Sequence, residues 1–469
     1  MRAPSDISAL HQRFRTVGSA LMRANLNNTH SGNMSCRDPL DAGRFWITAS
    51  GSACGHLSPA DLVAVRFEDL GSEGPGRPSS EANTHRRVLE LPGANACVHC
   101  HAVASTLLSF ESPRNPIFLL APDPPRSDSE EYLFQPVDVW GAGLIGAVTV
   151  GVYQDTVGSL EMEQRIPAHL GRAPVAIVKA HGPFARGQSL EECLHYVGVL
   201  ECSATVAIAL RRRGVDTLAL QRALRAATPA AVFAWPPRPL DGPARAAGPA
   251  ADPASRCEFD DWLSYNFDLG LGAFGTGSMS RKRSADEMLF CPMSAAPPGI
   301  EADLRRIPLR PQGPEAADVR LHRLIYTRTP YTACMVAASP LATAEAMAAL
   351  AAVAGVEALA GHPGAIARSA AECPIVAPID AESTYHQIRL PVTSLQALAL
   401  DAEGDLVSSL LQSGKGACLV AGGGVIAAGE RSLAQAAYRV ALAERVARFR
   451  QEVDLHHRML GAPPAAAFE

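Results

Sequence analysis

The second half of this chain repeats the first. Gly277-Ser278-Met279-Ser280-Arg281 echoes Gly32-Asn33-Met34-Ser35, and Leu289-Phe290-Cys291-Pro292-Met293-Ser294 echoes Phe45 to Ser50. Asp318 to Tyr326, with His322-Arg323 in the place of His85-Arg86, echoes the stretch that begins at Glu81, and Ala333 to Ala338 echoes Ala96 to His101. Ala421-Gly422-Gly423-Gly424, Gly429 and Ser432-Leu433 echo Ala180-His181-Gly182, Gly187 and Ser189-Leu190. A repeat of about 230 residues is a duplicated domain, not a short solenoid unit. Each copy must then close its own core, and 469 residues are enough for two. The predicted organisation is a first domain over 1–225, an Ala/Pro-rich linker over 226–255 and a second domain over 256–469.

The copies differ in their chemistry. Ala96-Cys97-Val98-His99-Cys100-His101 is an apolar run interrupted by two histidines, and on a strand residues i and i+2 share a face. His99 and His101 would then present two imidazoles side by side, as a pair of metal ligands. Upstream, Ser79-Ser80 before Glu81 and a run to Leu91 predict an N-capped helix with Glu81 in its first turn. His181, just past a buried strand predicted over Val175 to Lys179, is the candidate third ligand. The competing reading of Cys97 and Cys100 as a C-x-x-C site is weaker, because on a strand they face opposite ways and no second such pair exists. In the second copy Val336, Ala338 and Gly423 stand at the histidine positions, Asp318 at that of Glu81, and Ala316-Ala317 at those of Ser79-Ser80. The apolar frame persists while every candidate ligand is replaced. Core-filling histidines would not be lost together in this way.

Composition narrows the function classes. A net charge of −5 leaves no basic footprint for nucleic acid. Eleven thinly spread cysteines predict free thiols in a reducing compartment. The N-terminal stretch, with Asp6 and Arg13 among short apolar runs, does not read as a signal peptide, and Leu341 to Ala360, carrying Glu345 and Glu357, reads as a helix of a folded core and not a membrane span. The expectation is a cytoplasmic protein with neither a membrane nor a nucleic-acid partner. Pro113 to Pro136 reads as an irregular loop covering the site. Gly141-Ala142-Gly143-Leu144-Ile145-Gly146 matches a dinucleotide fingerprint but opens no recognisable βαβ unit, and His456-His457 reads as a solvated helix end.

These residues resemble the class II aldolase/adducin superfamily, of which L-fuculose-phosphate aldolase is the best-known member. Ser31-Gly32-Asn33-Met34-Ser35, Thr48-Ala49-Ser50-Gly51, Ser79-Ser80-Glu81 with His85, Val98-His99-Cys100-His101, and His181-Gly182 with Gly187 carry the resemblance, and the second half carries it in degenerate form. It implies an α/β chain of two tandem α/β/α three-layer domains. It also implies one zinc ion per chain on His99, His101 and His181, with Glu81 as catalytic acid/base. Asn33, Ser50, Gly51, Ser79 and Ser80 would cradle a substrate phosphate.

Elementary chemistry is consistent with each role. Three imidazoles leave an open position on zinc. A carboxylate beside it can move a proton. Two serines at a helix start seat an anion on free N–H groups, although simple helix capping would also explain them. The expected reaction is reversible aldol cleavage of a small ketose phosphate to dihydroxyacetone phosphate and an aldehyde. Relatives that decarboxylate or dehydrate on the same zinc, and adducin-like binding proteins without chemistry, are the alternatives. The tyrosine that the family's aldolase uses as proton donor has no counterpart in Pro116 to Leu120, and Tyr132 is the nearest. The family's pentulose-phosphate epimerases carry aspartate at the Glu81 position, which points away from epimerisation. Subunits of the family commonly form rings of four, so two fused chains would give a homodimer shaped as a pseudo-tetramer.

Overall fold

The computed structural model describes residues 4–28, 30–110, 117–120, 131–226, 253–293, 303–311, 313, 315–359, 373–386 and 388–461. Most of the expected 226–255 linker and of the loop 113–136 lies outside them. The chain forms two compact units. Unit 1 comprises Met1–Gln135, Leu144–Ala204 and Ala295–Ile300, and unit 2 comprises Pro136–Gly143, Thr205–Ser294 and Glu301–Glu469.

Unit 1 is built on a sheet of nine strands: β1 (Asn33–Arg37), β2 (Arg44–Thr48), β3 (Leu62–Arg66), β4 (Ser72–Glu73), β5 (Ala96–His99), β6 (Glu131–Phe134), β7 (Val148–Gly151), β8 (Val175–Val178) and β9 (Gly182–Gly187). Their order is β4-β3-β2-β1-β5-β9-β8-β7-β6. Unit 2 has eight: β10 (Gly277–Lys282), β11 (Glu287–Pro292), β12 (Arg305–Pro308), β13 (Ala333–Ala337), β14 (Ile375–Val376), β15 (Leu390–Ser394), β16 (Ala417–Ala421) and β17 (Gly424–Gly429), in the order β12-β11-β10-β13-β17-β16-β15-β14. The two orders coincide once β4 is set aside. In each sheet one neighbouring pair is parallel, β7 with β8 and β15 with β16. Register fixes the equivalence residue by residue: Asn33 faces His99 as Ser278 faces Val336.

The layers follow from alternation along buried strands. In β13, Ala333, Met335 and Ala337 enter one apolar core while Cys334 and Val336 enter another, and β16 and β17 divide their residues in the same way. A strand that buries both faces needs helices on both sides. One core is filled by the helices Pro340–Ala354 and Leu433–Met459, the other by Ala317–Arg328 and Asp405–Ser413. In unit 1 the helix Leu160–Leu170 supplies Met162, Ile166 and Leu170 against Cys97, Val178 and Phe184.

Several local expectations are corrected. The turn-forming composition of Asn27 to Ser35 reads as a break after the first helix, yet Asn33–Arg37 form central strand β1. The predicted loop over 113–136 contains strand β6, joined by an isolated bridge between Leu120 and Leu133. Gly141 to Gly146 lies on and just after a short helix, Val139–Leu144. Among the described residues, Leu190–Arg212 is the one helix long and apolar enough to cross a membrane, and 72% of its apolar window is buried in the fold.

Candidate metal centre

The histidine cluster forms where β5 ends beside the turn between β8 and β9. Strand β5 stops at His99, so His101 lies beyond it, not on it as the sequence pattern suggested. The i, i+2 relation is nonetheless kept, because the chain runs on against β9: the Cys100 N–H donates to the Pro183 carbonyl at 3.2 Å. His181 sits in the β8–β9 turn, with its N–H bonded to the Val178 carbonyl at 3.1 Å. Ala180 before it has φ of 59°, a left-handed conformation that costs a non-glycine residue about 1 kcal/mol or more. The second copy places Gly422, φ 77°, at this turn. Gly182 after it packs backbone on backbone, since a Cβ there would stand 2.1 Å from the Cys100 carbonyl oxygen.

Three ring nitrogens converge. His99 Nε2 lies 3.3 Å from His181 Nε2 and 3.2 Å from His101 Nε2. His99 Nδ1 is 3.0 Å from the Pro183 carbonyl. A carbonyl can only accept, so Nδ1 carries the proton and the Nε2 lone pair is free. Stacking on Phe184, with ring centres 4.0 Å apart and planes at 14°, fixes the ring's orientation. Burial first, then His181 and His101, holds the His99 pKa well below its usual value, and burial followed by His181 lowers that of His101. Both are therefore neutral near pH 7, the form a metal requires.

This donor set fits a divalent cation. Three nitrogens bound tetrahedrally to zinc at about 2.0–2.1 Å stand about 3.3 Å from one another. The two separations from His99 match that spacing. A hydrogen bond from one neighbour would satisfy the His99 lone pair but not gather a third imidazole, and His181 Nδ1 remains buried without a partner.

Glu81 completes the arrangement. The helix Ala82–Leu89 begins one residue later than expected, so Glu81 is its N-cap and not part of its first turn, and Ser79 Oγ accepts the Glu81 N–H at 3.3 Å. The carboxylate is buried at 3% exposure, with Oε2 at 3.8 Å from His99 Nε2 and held by the Asn33 amide at 2.7 Å. Its Oε1 has no partner. A buried, half-satisfied carboxylate facing a pocket of lone pairs is where a cation or a reacting proton would be accommodated.

The other expected site residues line up nearby. A bridge between Ala49 and Pro78 brings the Ser50-Gly51 turn alongside Ser79-Ser80. Ser50 and Ser80 are exposed, Ser79 is buried, and Gly51, φ 77°, has open space where a Cβ would point. Behind them is a pair that sequence reasoning noted only as part of a motif. Ser35 Oγ and His85 Nδ1 are 2.7 Å apart in full burial, and burial depresses the His85 pKa to about 4. The second copy retains this pair as Ser280 and His322, and there Ser278, at the place of Asn33, reaches the other ring nitrogen at 3.0 Å. Asn33 instead turns to Glu81. Glu201 was missed entirely. Its carboxylate accepts the N–H groups of Ala104 and Ser105 at 2.6 and 2.8 Å, pinning the helix Val103–Leu108 that follows His101. Its one sequence signal was the matching Glu444, which caps Leu341 and Ala342 in the second copy.

The profile of the Class II Aldolase and Adducin N-terminal domain matches residues 12–208 and again 268–450. Methylthioribulose-1-phosphate dehydratase of Leptospira biflexa is 27% identical over 169 residues, covering 34% of this chain and 78% of that protein. The enzyme of the same name from Microcystis aeruginosa is 28% identical over 36% of this chain and 81% of that protein. Among solved structures, L-fuculose-1-phosphate aldolase of Thermus thermophilus is 27% identical, with a TM-score of 0.37 over 44% of this chain and 95% of that one. The chain thus belongs, in both halves, to the class II aldolase and adducin family, and its kinship is with that family's lyases.

Proposed function

We propose that the first copy is a zinc-dependent lyase acting on a small phosphorylated ketose, with reversible aldol cleavage to dihydroxyacetone phosphate and an aldehyde as its reaction. The observation that carries this reading is the His99–His101–His181 cluster, whose ligand atoms all lie within 4.8 Å of one another with His99 at zinc-ligand spacing from both neighbours, and the Glu81 carboxylate 3.8 Å from His99. A zinc ion held by the three imidazoles would supply Lewis-acid polarisation of the ketose carbonyl. Glu81 would move the proton at the neighbouring carbon, removing it in the direction of synthesis and returning it in cleavage. Asn33 steadies Oε2, leaving Oε1 as the atom that exchanges the proton. Ser79, Ser80 and the Ser50-Gly51 turn would anchor the phosphate away from the reacting carbons. The second copy has no equivalent donors and serves as a structural partner, and two chains associate as a homodimer.

Dehydration of the same kind of substrate is the second reading, favoured by the methylthioribulose-1-phosphate dehydratases among its relatives. It begins with the same removal of a carbon-bound proton as the direction of synthesis, followed by loss of a neighbouring hydroxyl as water instead of carbon–carbon bond formation. One tightly held divalent ion per full chain is expected by elemental analysis, lost in His99→Ala and in His101→Ala. Two ions per chain, or none with the histidines intact, would sink the metal assignment. Incubating the zinc-loaded protein with phosphorylated ketoses and assaying for triose phosphate against dehydrated ketone separates the two reactions.

A further inference from the structure

The turn that presents His181 recurs in the second copy, but the two copies hold it in different ways. The His181 N–H donates to the Val178 carbonyl at 3.1 Å, and the Gly423 N–H to the Val420 carbonyl at 2.9 Å. In each turn the residue before, Ala180 or Gly422, has a positive φ, 59° or 77°, while Lys179 and Ala421 do not. That is the pattern of a type II turn, whose third residue is best a glycine. The second copy meets the requirement with Gly422. The first copy places an alanine there, so another group must hold it.

That group is Ser109. Its oxygen accepts the Ala180 N–H at 3.0 Å. Ser109 is fully buried, and its hydroxyl proton is committed to the Thr106 carbonyl, which leaves a lone pair for Ala180. The serine closes the C-terminus of the helix Val103–Leu108, whose start follows His101 and is pinned by Glu201. One short, fixed element therefore runs from His101 to the turn that carries His181.

The second copy lacks this device. Glu201 accepts from Ala104 and Ser105 as Glu444 accepts from Leu341 and Ala342, so Ser109, four residues on, aligns with Ala346. Ala346 is buried, has no hydroxyl and lies inside a helix, Pro340–Ala354, that runs straight through the position. The exchange is reciprocal. Where the serine is present the turn residue is alanine, and where it is absent the turn residue is glycine, which takes up positive φ unaided.

We propose that Ser109 is a positioning residue of the metal centre, holding Ala180 in the left-handed conformation that brings His181 to His99. Without the bond, Ala180 relaxes toward negative φ and His181, the next residue, swings away from its 3.3 Å approach to His99. The proposal rests on the metal reading of the three histidines and is independent of which reaction follows.

Zinc affinity of the full-length protein, measured by competition with a chromophoric chelator, tests it without any substrate. Ser109→Ala should bind zinc about 2–12-fold more weakly than wild type, the factor one hydrogen bond carries. In an Ala180→Gly background, where the turn needs no support, the same substitution should cost less than about 2-fold. A general loss of packing would not produce that non-additivity. Ser109→Cys, of similar volume but a weak acceptor, replaces the alanine variant if thermal unfolding shows the latter to be misfolded. Wild-type affinity in the Ser109 variant, or the same loss in both backgrounds, overturns the proposal and leaves the metal centre standing. Wild-type protein that binds no zinc overturns both.

Discussion

Gly182→Ala tests the architecture of the centre most directly, because the same substitution can be made in both copies. A Cβ at Gly182 would stand 2.1 Å from the Cys100 carbonyl oxygen and 3.2 Å from the His101 Cα. An ordinary carbon–oxygen contact is about 3.3 Å, so the β8–β9 turn and the chain after β5 must part by about 1 Å. Those two segments carry His181 and His101. Metal–ligand distances tolerate about 0.2 Å, so a displacement of this size removes at least one ligand from the set. Zinc affinity should fall by about 10–100-fold or more. Overpacking of this kind costs about 1–3 kcal/mol. For a domain of this size that lowers the Tm by roughly 2–12 °C. Gly424→Ala is the control: its Cβ would stand 2.2 Å from the Ala337 carbonyl oxygen, the equivalent contact in a copy without ligands. It should cost a similar amount of stability and leave zinc affinity unchanged. Thermal unfolding of apoprotein and competition with a chromophoric chelator measure the two quantities separately. Wild-type zinc affinity in Gly182→Ala, or an equal loss in Gly424→Ala, would refute the reasoning.

Three further outcomes are expected. Glu81→Gln should keep the fold and the metal while turnover falls by about 10²–10⁴-fold, and full activity on the identified substrate would remove Glu81 from the mechanism. Folding should weaken in acid: His85 and His322 have folded-state pKa values lowered by burial to about 4 and about 3, so the unfolded chain takes up protons first as pH falls below 6.5. Each contribution is complete above that pH and shrinks by about 2 kcal/mol by pH 5, which urea titrations at pH 7 and pH 5 would register and His322→Gln would reduce. Glu201→Ala should leave the N–H groups of Ala104 and Ser105 unpaired, lower the Tm, and weaken zinc binding through His101, whereas Glu444→Ala should lower the Tm alone.

Much of the centre was legible as local pattern. The i, i+2 spacing of His99 and His101, the His-Gly at the end of a buried strand, and the loss of all three histidines in an otherwise retained second copy required nothing beyond the chain itself. A short continuous apolar run likewise foretold buried strands such as Val175–Val178, all four of whose residues are buried. Strand β1 was not legible, since its Asn, Ser, Cys and Arg are poor strand formers and it exists by pairing between β2 and β5.

Tertiary structure alone decided how the imidazoles meet. The 3.2 and 3.3 Å separations depend on β5 pairing with β9, which brings the Pro183 carbonyl to His99 Nδ1 and Phe184 under its ring from more than eighty residues away. Only the fold shows Glu81 as an N-cap held by Asn33, and only the fold assigns residues 136–143 to unit 2. Sequence determines which faces are apolar and which residues can ligate. Which strands become neighbours, and so which lone pairs converge, is set by long-range register, because many distant segments share the same short-range pattern and only packing selects among them.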